Sequence, residues 1–208
     1  MRPIRCVSHP VALEKIGRLR DRSTDVSEFR RLVRELAILL AIEATSDMPS
    51  VEYIVQTPVA QARVTRIAEP VILVPILRAG LGMVDGMLQW VPEARVGHLG
   101  MYRDPQTLSP VEYYANTPPE LNEGVVIVLD PMLATGGSAA AALAVLKARG
   151  AKRIKVTAIL AAPEGIAKLD ELHPDVELYA IAVDEGLNSH GYIVPGLGDA
   201  GDRIFGTL

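Results

Sequence analysis

Only one cysteine, Cys6, occurs among the 208 residues, so neither a disulfide framework nor a thiolate metal cluster can form within the chain. No local motif makes it a nucleophile, and a small buried hydrophobe is expected there. Long apolar runs are missing as well. The longest of note, LAILLAI at 36–42, is far too short to span a bilayer. The opening MRPIRCVSHP lacks an apolar signal core, which leaves a cytoplasmic location as the default expectation. Positive charge is not in excess: 21 Lys and Arg against 25 Asp and Glu give a net charge of −4. With no basic, aromatic-rich stripe either, a general nucleic-acid or anionic-membrane binder is disfavoured. No repeat, low-complexity linker or like-charge block divides the chain. With 49% hydrophobic residues, the span 1–208 suits one domain with a sizeable core.

What is present is strand and helix in alternation. Helices are expected over 11–22 and 26–45. In the second, Phe29, Leu32, Val33, Leu36 and Leu40 recur at helical spacing. Beyond Leu36 this helix is apolar nearly all round, which implies cover on more than one side, by a neighbouring helix or by a partner subunit. VEYIVQT and ARVTRI suggest a hairpin. PVILVPIL, VVIVL, RIKVTAILAA and VELYAIAVD lack alternation and are interleaved with helical stretches. This pattern implies an α/β fold: a parallel twisted sheet with helices on both faces. An extended β-arm with a polar, proline-bearing tip is expected over about 95–117. The glycine-rich tail from about 185 to 208 has little regular periodicity.

In such sheets ligands sit beyond the carboxyl ends of the strands, and two of those junctions, ILRAGLG and LDPMLATGGS, are chemically distinctive. ATGGS carries Ala134, Thr135, Gly136, Gly137 and Ser138. Its glycines admit backbone N–H groups, its hydroxyls add donors, and a helix opens beside it with its positive dipole end. The loop lacks the lysine of G-x-x-x-x-G-K-[ST], and the chain has no G-x-G-x-x-G, so neither nucleotide fingerprint applies. Asp130 would repel a phosphate but can accept paired sugar hydroxyls. Together these residues describe a cradle for ribose 5-phosphate. By residue type alone, a capping aspartate and a tight turn remain the alternative.

LDPMLATGGS resembles the phosphoribosyl-pyrophosphate (PRPP) motif of the type I phosphoribosyltransferases. The Pro after the acid, the loop ILRAGLGM, the arm MYRD and the tail GYIVPGLGDAGDRIFGT resemble the uracil branch of that superfamily, in its order and over nearly the full chain. The superfamily's usual pair of acids is reduced here to Asp130 followed by Pro131. The resemblance implies transfer of a phosphoribosyl group from PRPP to uracil, giving UMP and pyrophosphate. It implies PRPP binding by Asp130, Pro131, Met132, Leu133, Ala134, Thr135, Gly136, Gly137 and Ser138. It adds pyrophosphate contacts from Arg78 and Arg103, with a strained peptide bond in the Arg78 loop, and Asp199 near the reaction centre. Uracil is placed against Ile193 and against Gly198, Asp199 and Ala200, read by main-chain groups in a small hood.

No His/Asp/Glu cluster has metal-ligand spacing, so Mg²⁺ is expected to arrive mainly on PRPP and not at a permanent metal site. His9, His98, His173 and His190 are scattered, and none is expected to be essential. Tyr192 could pack over the base, although a core position is the more ordinary expectation for it. A homodimer or higher homo-oligomer is expected from the segment 36–42, and GTP is a possible effector by resemblance. Two alternatives stay open: a nucleotide-sensing regulator on the same fold, and a phosphoribosyltransferase for another base.

Overall fold

The computed structural model describes residues 4–103 and 110–207, with backbone alone for 101–103 and 110–112. Its strands are β1 (Arg5–Cys6), β2 (Ser50–Gln56), β3 (Gln61–Ile67), β4 (Val71–Leu77), β5 (Arg95–Val96), β6 (His98–Arg103) and β7 (Pro110–Asn116). They continue with β8 (Val125–Leu129), β9 (Met132–Leu133), β10 (Arg153–Ala161), β11 (Glu177–Val183), β12 (Gly186–Leu187) and β13 (Ile193–Val194). The helices are α1 (Pro10–Arg20), α2 (Val26–Thr45), α3 (Leu81–Trp90), α4 (Gly137–Ala148), α5 (Pro163–Leu172) and α6 (Ala200–Phe205).

The main sheet runs β1-β11-β10-β8-β4-β6-β7, with β5 beside β4 and β9 beside β10. All of its pairings are parallel except β6 with β7. Strand β8 is buried at every position and β4 at all but its last. Alternate residues of each enter opposite cores. Leu73, Val125, Ile127 and Leu129 join the layer under α1, α2, α3 and α6. Ile72, Val74, Val126 and Val128 join the layer under α4 and α5. Apolar runs without alternation therefore follow from cover on both faces.

Asp25 opens α2 by accepting from the Glu28 N–H at 2.9 Å. Its buried stripe runs through Phe29, Leu32, Val33, Leu36, Ala37, Leu40, Ala41 and Ala44. The sheet, α1, α3 and α6 supply much of the cover that this helix demands, while Ile42 stays 36% exposed. The β2–β3 hairpin forms as expected and makes a sheet of its own. The strands of the arm pair antiparallel; its polar tip, 104–109, lies outside the described residues. Among the described residues no helix is long and apolar enough to cross a membrane.

Three expectations need correction. Cys6 is exposed, because it lies in a two-residue edge strand whose two positions both face solvent. Tyr192 is not a core residue: it is 48% exposed, on a turn whose backbone bonds to Asn188. The tail is more regular than its glycine content suggests, with the β12–β13 ladder and the helix α6.

Candidate functional site

Parallel pairing of β4 with β8 sets Pro75 opposite Leu129, so the loop after β4 and the loop after β8 leave the sheet side by side. Their approach is tight. A Cβ built on Gly80 would stand 2.4 Å from the Leu129 carbonyl oxygen, a space that only glycine can occupy. Strand β6 runs parallel to β4, which brings the backbone of Arg103 to the same carboxyl edge. The Arg103 side chain lies outside the described residues.

Asp130 follows β8, held by its N–H to the Thr157 carbonyl at 3.1 Å. Burial pushes its carboxyl up to about 6, and the Met132 N–H donating to it opposes that only in part. The bond is long, 3.3 Å, and accounts for one of several lone pairs. The Pro131 carbonyl then accepts from Ile159 and Leu160, while Met132 and Leu133 pair with Leu160 and Ala161 of β10. From this extra strand the chain passes through Ala134, Thr135, Gly136, Gly137 and Ser138 into α4, with Thr135 and Ser138 exposed.

Gly136 sits at φ +73° as the N-cap of α4, and no side chain caps this helix. A Cβ at Gly136 would also press on the Gly165 carbonyl oxygen at 2.9 Å. The Thr135 hydroxyl accepts only a long bond, 3.4 Å, from the Gly137 N–H. An uncapped helix start with exposed Thr135 and Ser138 beside it suits a phosphate group. One cation nearby was not singled out from the sequence: Lys168 Nζ lies 3.9 Å from where a Gly137 Cβ would be. Its place on α5 gave no local signal.

Arg78 comes directly after β4, across a cis Leu77–Arg78 peptide, with its side chain 58% exposed. A charge at the end of a buried strand needs a partner, and here the partner is Asp202 of α6, at 3.0 Å. Hydrogen bonds from Thr207 and from Arg78 lower the pKa of the Asp202 carboxyl from its ordinary value. Asp199 caps α6 by accepting from the Asp202 N–H at 2.9 Å. A Cβ on Gly201 would meet Asp199 Oδ1 at 3.2 Å, Arg78 Nη2 at 3.7 Å and Ala79 Cβ at 3.9 Å. One small residue therefore separates two of the groups named from the sequence, Arg78 and Asp199.

The tail reaches the other loop too, since a Cβ on Gly191 would lie 3.6 Å from Thr135 Cγ2. Ile193 and Ala200 are buried at 5% and 4% exposure, whereas Gly198, at φ +83°, and Asp199 face solvent. The structure thus brings the Arg78 loop, the 130–138 loop and the 191–201 ribbon together at one sheet edge.

A family model, uracil phosphoribosyltransferase, matches residues 6–207. The chain belongs to the uracil phosphoribosyltransferase family. A uracil phosphoribosyltransferase of Symbiobacterium thermophilum is 56% identical over 202 residues, covering 97% of each chain. One of Bacillus cytotoxicus is 58% identical over 200 residues, covering 96% of each. Among solved structures, the AQ2163 protein of Aquifex aeolicus matches with a TM-score of 0.92 and 40% identity, covering 98% of both chains. A purine phosphoribosyltransferase of Pyrococcus horikoshii matches with a TM-score of 0.52 and 15% identity, over 74% of this chain and 84% of its own. That last likeness concerns the fold alone, the type I phosphoribosyltransferase sheet. All four motifs lie within the span that the family model matches.

Proposed function

We propose that this chain, as a single cytoplasmic domain, transfers the 5-phosphoribosyl group of PRPP to uracil, giving UMP and pyrophosphate. One observation carries this reading: a loop bearing Arg78 and a loop bearing Asp130 and an uncapped helix start leave adjoining strands β4 and β8, and a glycine-rich ribbon reaches both. The family relationship supports the same reaction.

Ala134, Thr135, Gly136, Gly137 and Ser138 hold the 5′-phosphate at the start of α4, with Lys168 adding charge from the side. Asp130 accepts the two ribose hydroxyls, and Pro131, Met132 and Leu133 fix its height above the sheet. Arg78 and Arg103 take the diphosphate, which requires Arg78 to exchange Asp202 for substrate oxygens. Uracil lies along Ile193 and against Gly198, Asp199 and Ala200. Its O4 accepts and its N3–H donates; cytosine reverses both, and each mispaired buried group costs about 1–3 kcal/mol.

As the anomeric carbon–oxygen bond to pyrophosphate breaks, the sugar gains oxocarbenium character and uracil N1 bonds to that carbon from the opposite face, its proton passing to water. The protein contributes alignment and stabilisation of the departing charge. Magnesium fits this site as a passenger of PRPP. Among the described residues no three His, Cys, Asp or Glu side chains form a metal-binding group, so the diphosphate and at most one or two carboxylates, Asp130 or Asp199, would hold it. When bound, it neutralises leaving-group charge. Asp199, one small residue away from Arg78, would orient a water or the sugar beside the departing pyrophosphate.

The test is to incubate the purified protein with PRPP, magnesium and each free base in turn. UMP formed from uracil, with little product from cytosine or purines, is expected; a purine nucleotide as main product overturns the reading. The same assay run with and without GTP tests that nucleotide as an effector, which the family resemblance suggests, and a changed rate is expected. We further propose a homodimer or higher homo-oligomer. Val11 is 49% exposed and Ile42 36%, around a cavity of about 290 Å³ that Leu36, Ile38 and Leu39 also line.

A further inference from the structure

We propose that Arg20 and Asp184 are positioning residues for the base: one ion pair that sets the backbone of the uracil-facing ribbon without touching substrate. The inference rests on the placement of uracil against Ile193 and the segment 198–200. Asp184 follows β11 and its side chain is only 5% exposed. Arg20, the last residue of α1, meets it as a fork, with Nη1 donating to Oδ2 at 2.7 Å and Nη2 to Oδ1 at 2.5 Å. Each partner then takes one half of the same residue. Arg20 Nη1 donates to the Gly196 carbonyl at 2.8 Å, and the Gly196 N–H donates to Asp184 Oδ2 at 2.9 Å.

Gly196 is not an ordinary turn residue. It sits at φ +62°, and a Cβ there would come within 2.1 Å of the Ile193 carbonyl oxygen, so its position sets that of Ile193. The next residue is held independently. Arg203 Nη1 donates to the Leu197 carbonyl at 2.9 Å, its Nη2 to the Asp21 carbonyl at 2.6 Å, and the guanidinium lies 4.4 Å from the centroid of the Phe29 ring. Gly198 and Asp199, immediately beyond, are exposed. The ribbon is thus fixed at 196 and 197 and presents exposed main chain at 198 and 199, just before α6 begins.

Such an arrangement matters for a base read by backbone groups. A main-chain donor and acceptor discriminate only when held within a fraction of an ångström of the right place, and charge-assisted bonds in a shielded site supply that stiffness.

The experiment compares wild type with Arg20→Ala, Arg20→Lys and Asp184→Asn. Uracil is varied at saturating PRPP and PRPP at saturating uracil, with a thermal melt of each protein. Arg20→Ala should raise the KM for uracil about tenfold or more while the KM for PRPP stays within about twofold. Arg20→Lys, which keeps the charge but loses the fork, should restore part of the loss. A folded variant with unchanged KM for uracil overturns the proposal, as does a parallel rise of both KM values with a lowered Tm. Should Arg20→Ala fail to fold, Arg20→Lys and Asp184→Asn decide by the same split. Wild-type protein forming no UMP would refute the function itself; wild type forming UMP with no split in the variants refutes only the positioning role.

Discussion

At the scale of single residues, the chemistry turns on groups held away from their ordinary state. Asp130 has its carboxyl raised to about 6 by burial. The sign is that of a buried acid. The unfolded chain ionises near the usual carboxylate range, the fold resists ionisation, and stability is lost as pH rises towards and through about 6. The ribose contact proposed for Asp130 asks for the opposite, because an ionised carboxylate can accept from both hydroxyls. The KM for PRPP should therefore fall as pH rises through about 6, and Asp130→Asn should flatten that dependence while raising KM at pH 8 by about 10- to 100-fold. Kinetics across pH on the two proteins check this. The same substitution should raise Tm at pH 8, since it removes a charge that the fold opposes. Arg78 makes a second prediction. Arg78→Ala should lower kcat/KM for PRPP by about 100- to 1,000-fold, the scale of losing a fixed donor to developing charge. Its side chain is 58% exposed, so stability should scarcely change, and near-normal activity would remove Arg78 from the site.

At the scale of elements, the loops are shaped by what they cannot hold. The 130–138 loop turns at Gly136, with φ +73° and the Gly165 carbonyl 2.9 Å from an added Cβ. Gly136→Ala combines left-handed strain with a collision against the start of α5, together about 1–3 kcal/mol. Denaturant unfolding should register that loss, and the KM for PRPP should rise because the start of α4 moves. Much of this loop was legible beforehand. VVIVLDPMLATGGS encodes a buried strand, an acid and a helix start through local rules, and β8, β9 and α4 follow that order. Helix α6 was not legible, since AGDRIF is too short for periodicity and its cap, Asp199, reads equally well as a turn. The exposure of Cys6 and Tyr192 was not legible either, because each depends on where an edge strand or turn meets the rest of the fold.

At the scale of the whole molecule, the sheet has both faces covered and one carboxyl edge committed to chemistry. One apolar groove lies elsewhere, lined by Val11, Ile38, Leu39 and Ile42. Light scattering after size exclusion should give a mass of two or more chains, and Ile42→Asp should lower it by placing charge in the contact. Ile42 is already 36% exposed, so the isolated fold should lose little stability.

The chain's own order of residues determined the α/β class, the longer strands, the two distinctive loops and the groups that they carry, since each of these arises within a window of neighbouring residues. Only the tertiary structure decided which groups meet. Arg78 finds Asp202 across 124 positions, and Arg20 finds Asp184 across 164. No local rule relates residues so far apart; β-sheet order and helix packing bring them within hydrogen-bonding reach.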